Sequence, residues 1–76
     1  MELDETKIDE AVLALLYLTL DRKTHSAWKT LDYNATNRLY EKGLVLDPAG
    51  PAKSVVLTAE GEAMAERLAQ KLFGKD

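Results

Sequence analysis

The chain contains no cysteine, so disulfides and thiolate metal sites are excluded. A single histidine, His25, leaves little material for acid–base chemistry near neutral pH. Only two prolines and four glycines interrupt the 76 residues, and they cluster late: Pro48, Gly50 and Pro51 stand within one short stretch. No glycine-rich phosphate cradle is present. No run of about 18 apolar residues exists, so no membrane-spanning helix is expected. The opening Met1-Glu-Leu-Asp-Glu5 is acidic, the wrong chemistry for a signal peptide, and a cytoplasmic location is the expectation. Basic residues are in deficit, ten against thirteen acids, for a net charge of −3. That balance opposes strong general affinity for nucleic acid.

What remains is an ordinary globular composition, 46% hydrophobic and 30% charged. The length suits one small domain spanning residues 1–76. So short a chain buries roughly 60–65% of its unfolded surface. A length-scaled stability is about 4–11 kcal/mol. Charge is uneven along the chain: residues 1–20 carry net −4, residues 21–53 net +2, and residues 54–76 net −1.

Thr6-Lys-Ile-Asp9 fits a capping box, predicting a first helix from about Lys7 to Leu20. Its apolar residues run from Ile8 through Leu20 and cover more than one stripe, which predicts burial on more than one side. Either the other helices wrap it, or part of it meets a second copy in a homodimer. After a polar turn at 21–25, a short second helix is expected over Ser26 to Thr30, centred on Trp28. Asp32 is a good N-cap for a third helix from Tyr33 to Lys42, with Ala35 and Leu39 facing inward. Gly43 suits its left-handed exit. Leu44–Leu46 and Ser54–Leu57 read as two strands of a hairpin, with the Pro/Gly stretch 47–53 as its tip. Thr58 caps a fourth helix whose stripe is Met64, Ala65, Leu68, Ala69 and Leu72.

Leu39-x-x-Lys42-Gly43-Leu44, the hairpin, and Leu57-Thr58-x-x-Gly61 resemble the second half of the winged helix-turn-helix superfamily. The resemblance covers residues 33–61 well and the rest by order of elements. It implies a mainly α fold of about four helices with a two-stranded antiparallel wing. The capped apolar helix and Ala27-Trp28-Lys29 also resemble a small family of uncharacterised bacterial proteins, which brings no function with it. The motif residues themselves have scaffold roles: Leu39 and Leu44 bury the third helix, and Gly61 lets the last helix pack closely.

The winged-helix resemblance implies a transcriptional regulator that reads double-stranded DNA with helix 33–42. In that arrangement Asn34 or Asn37 pairs with adenine and Arg38 with guanine or a phosphate. Tyr33 and Thr36 donate to phosphates, Lys53 reaches from the wing, and Lys29 touches the backbone before the helix. The competing expectation is a protein-interaction or dimerisation module, which the net negative charge and over-apolar first helix favour. Trp28 is its best anchor. Enzymatic activity, metals and cofactors are not expected. Asp21 and His25, four residues apart, fall in a turn and do not make a metal site.

Overall fold

The computed structural model describes residues 1–28, 32–48 and 53–75. They form helix α1 (Glu5–Leu18), strand β1 (Ser26–Trp28), helix α2 (Tyr33–Glu41), strand β2 (Ser54–Val56) and helix α3 (Ala59–Phe73). The expected mainly helical architecture with a small antiparallel sheet is present. The described residues contain three helices, not four, and a helix-turn-helix needs two consecutive helices before its wing. Only α2 lies between β1 and β2 among them, so the described elements do not support the winged helix-turn-helix assignment.

The segment 26–30 marks the largest departure. Ser26–Trp28 is a strand, while residues 29–30 lie outside the described set. β1 pairs antiparallel with β2 in the register Ser26↔Val56, Ala27↔Val55, Trp28↔Ser54. The expected strand at 44–46 is a single bridge, Val45↔Leu57, extended by the Leu46 N–H donating to the Val56 carbonyl at 2.8 Å. β2 therefore has β1 on one side and this short bridge on the other. Of the expected hairpin tip, residues 49–52 are outside the described set.

The edge of β1 is closed locally. Trp28 N–H donates to the Thr19 hydroxyl, and Asp21 N–H donates to the Ser26 carbonyl. The intervening turn places His25 at φ 58°, a left-handed backbone that histidine adopts more readily than most residues. His25 N–H donates to the Asp21 carbonyl, and its own carbonyl accepts from Leu57 N–H, so the strained residue ties the turn to β2.

Helix α1 packs against α2, α3 and β1. Its cap is Asp4, whose carboxylate accepts from Thr6 and Lys7 N–H. The capping box expected at Thr6 and Asp9 does not form. An acid two residues ahead of Thr6 begins the helix earlier, and Asp9 turns inward instead. The core is aliphatic: Leu13, Leu16, Leu39 and Val45 are fully buried, with Val55, Leu57 and Ala65 around them. The aromatics lie mostly outside it. Trp28, Tyr33, Tyr40 and Phe73 are exposed, and Tyr17 is half-buried.

Helix α2 ends as its sequence predicts. Gly43 has φ +77°, Gly43 N–H donates to the Tyr40 carbonyl, and Leu44 N–H reaches back to the Leu39 carbonyl. This is the paired arrangement that closes a helix on a left-handed residue. A methyl group at Gly43 meets nothing within 4 Å, so the cost of Gly43→Ala is conformational alone. That substitution is expected to lower stability by about 1–2 kcal/mol, read as a lower urea midpoint with an unchanged slope.

Candidate functional site

Helix α2 is the element on which most sequence-predicted contacts fall. Asp32 caps it, its carboxylate accepting from Asn34 and Ala35 N–H at 3.0 and 3.2 Å. Ala35 and Leu39 point into the core. Tyr33, Asn34 and Asn37 face solvent, and Lys53 is exposed just before β2. Thr36 does not share that face: it is buried, and its hydroxyl donates to the Asp32 carbonyl at 3.1 Å. Lys29 lies outside the described residues.

Arg38 is drawn back toward α1. Its Nε lies 2.9 Å from both Asp9 carboxylate oxygens, its Nη2 lies 2.8 Å from Oδ1, and its Nη1 lies 2.9 Å from Glu5 Oε2. Lys42 Nζ completes the cluster, 3.2 Å from Asp9 Oδ2. Glu5 and Asp9 are four apart on α1, and Arg38 on α2 and its C-cap Lys42 are four apart as well. Each pair therefore occupies one helix face, and the two faces interlock. Asp9 is only 2% exposed, the sole charged residue in the buried set among the described residues. Sequence reasoning treated it as a cap. The signal that could have found it is an acid embedded between Ile8 and Ala11-Val12, on the apolar side of a helix.

Burial by itself raises the Asp9 carboxyl pKa. The hydrogen bonds and charges of Arg38 and Lys42 outweigh that and hold it below the ordinary 3.8. A carboxyl depressed in the folded state contributes stability that is fully present above its unfolded value. The contribution is lost as pH falls through the lower, folded value. Acid titration of the unfolding midpoint is therefore expected to fall below about pH 3.8 in the native chain. Asp9→Asn should flatten that part of the curve, and an unchanged curve would remove Asp9 from the account.

His25 stands exposed in the polar turn and makes a specific contact there. Its Nδ1 lies 2.8 Å from Glu62 Oε1, joining the turn before β1 to the first turns of α3. Among the described residues no group of three or more His, Asp or Glu side chains is arranged to hold a metal ion. No helix among them is long and apolar enough to cross a membrane.

The second surface is the outer face of the sheet. Ala27 and Val55 face the core, so their strand neighbours Ser26, Trp28, Ser54 and Val56 face outward. Leu46, which bonds to Val56, is exposed as well. Trp28 is 73% exposed and shares this outward side of the sheet with Val56, Leu46 and two serines. By contrast, the groove of about 380 Å³ between the helices has an apolar floor of Leu13, Leu39, Leu44, Met64 and Leu68. The already paired Asp9 and Lys42 stand at its edge.

Among the described residues these features make up a mainly helical fold of three helices and a two-stranded sheet, clasped by an internal ion-pair cluster. Residues 4–75 match the family described as a domain of unknown function (DUF6429), and the chain belongs to that family. It is 53% identical over 73 residues to the uncharacterised protein y4hR of Sinorhizobium fredii. That match spans 96% of this chain and 97% of the relative. No solved structure matches it.

Proposed function

We propose that the protein is a protein-interaction module that docks a partner on the outer sheet face around Trp28. The observation that carries this reading is the exposure of Trp28 on a sheet face that also presents Val56 and Leu46. Tryptophan supplies large apolar area with few torsions to freeze, and tryptophans dominate binding energy where they anchor an interface. The partner surface it suits is apolar and uncharged. A photo-reactive amino acid in place of Trp28 is expected to trap one discrete protein adduct in the native cell. The same group at Glu66, on the exposed side of α3, should trap none.

Sequence-specific DNA binding by a winged-helix regulator is the second reading. Tyr33, Asn34 and Asn37 lie exposed along the start of α2, with Lys53 as a basic outlier, which favours it. Against it stands the use of Arg38 and Lys42 within the chain, since phosphates would have to displace Asp9 and Glu5. An NMR titration with mixed-sequence duplex DNA, at low and near-physiological salt, separates the two readings. The expected result is no concentrated shift at Tyr33 to Glu41 or Lys53. Salt-sensitive shifts there would replace the first reading with the second.

A further inference from the structure

Four side chains on α1 recur at alternating intervals of three and four: Ile8, Ala11, Leu15 and Leu18. That is the spacing of a helix–helix seam. Leu15 is 48% and Leu18 61% exposed, while Ile8 and Ala11 are half-buried. Ile8 packs partly against the core, and the C-terminal half of the strip, Leu15 and Leu18, is left uncovered by the chain's own fold.

We infer that two copies of the chain pair through this strip, with their α1 helices antiparallel. The size pattern selects that direction. In a register symmetric about position 13, Ala11 faces the partner's Leu15, and Ile8 faces the partner's Leu18. Small meets large at the centre, whereas a parallel pair would set Ala11 on Ala11 and leave a gap. Charge selects the same direction: a parallel pair would bring Lys7 against its own kind, whereas the antiparallel register sets it opposite the partner's Thr19, the C-cap of α1. Antiparallel helix dipoles add to the preference.

A receptor for the knob is present. A hollow of about 270 Å³ lies between α1 and α3, lined by Ala11, Leu68 and Leu72 together with Lys7, Glu10 and Lys71. The partner's Leu15 enters there, covering Leu72, which is itself 49% exposed. A seam from Ile8 to Leu18 spans 11 residues of α1 and is about 16 Å long. That length puts the contact at the low end of stable interfaces, so the dimer is a weak one, with a dissociation constant on the order of 10–100 μM. The strip is separate from the Trp28 face, and either surface can fail without the other.

Sedimentation equilibrium from low micromolar to near-millimolar concentration is the first test, and a reversible monomer–dimer transition is expected. Leu15→Glu with Leu18→Glu should raise the dissociation constant by roughly a hundredfold. The thermal melt of the monomer should stay near the native one, because both side chains are exposed. Should that pair fail to fold, Leu18→Glu alone serves. The absence of cysteine allows a direct test of direction. Ala11→Cys mixed with Leu15→Cys should form a disulfide between the two variants faster than either forms one with itself. A monomer at every concentration would overturn the pairing, and faster self-cross-linking of either single variant would overturn its antiparallel direction.

Discussion

Gly61→Ala is expected to lower stability by about 3 kcal/mol or more, the largest effect of any single methyl group in this chain. The second residue of that contact is backbone: a Cβ at Gly61 would overlap the Leu44 carbonyl. A flexible side chain could swing aside, but this carbonyl is fixed. It accepts from Thr58 N–H at 3.1 Å and from the Thr58 hydroxyl at 3.2 Å. The same hydroxyl donates to the Gly43 carbonyl and accepts Gly61 N–H at 3.0 Å as the α3 cap. Moving the first turn of α3 to make room would break the cap and the tie to the end of α2 together. Equilibrium urea unfolding checks this. For a chain of this length the loss is a large share of the whole stability. Since Gly43→Ala costs only a backbone preference, a ranking with Gly43→Ala the more damaging would overturn the account.

Asp9→Ala is the second large effect, expected at about 2–4 kcal/mol. The alanine leaves a hole where the carboxylate sat and strips Arg38 and Lys42 of their shared partner. The figure sits toward the lower end of buried-pair losses, because Arg38 and especially Lys42 retain access to water. The measurement is a double-mutant cycle at Asp9 and Arg38. Asp9→Leu combined with Arg38→Leu should recover much of what Asp9→Leu alone loses, because an apolar pair needs no counter-charge. Additive losses would mean that the ion pair is incidental and that packing around Asp9 carries the effect.

Local signals on the sequence were faithful where one residue type solves one backbone problem. Asp32 as a cap, Gly43 as an exit, Thr58 as a cap and Gly61 as a close-contact residue all stand as their chemistry implies. The segment Ser26–Trp28 was not legible, because three residues are too few to show a period and their strand pairing is with residues 54–56, far along the chain. The same distance hid the role of Asp9, whose partners sit 29 and 33 residues away. Of the proposed DNA contacts, the sequence could place Tyr33, Asn34 and Asn37 on the outer side of a helix. It could not tell that Arg38, beside them, would be bound by α1, since only the packing of α1 on α2 brings the four charges together.

The closed edge of β1 bears on how the protein behaves at high concentration. An open strand edge presents a ladder of donors and acceptors on which a neighbouring chain can add a strand, the first step toward fibrils. Here the Thr19 hydroxyl takes the outward N–H of Trp28, and Asp21 takes the outward carbonyl of Ser26. The chain can therefore carry an exposed Trp and Val on its sheet with these two groups of the β1 edge withheld from a growing strand. Thr19, the C-cap of α1, acts as a guard against polymerisation, and a valine in its place would leave the protein folded but with the Trp28 N–H of β1 unprotected.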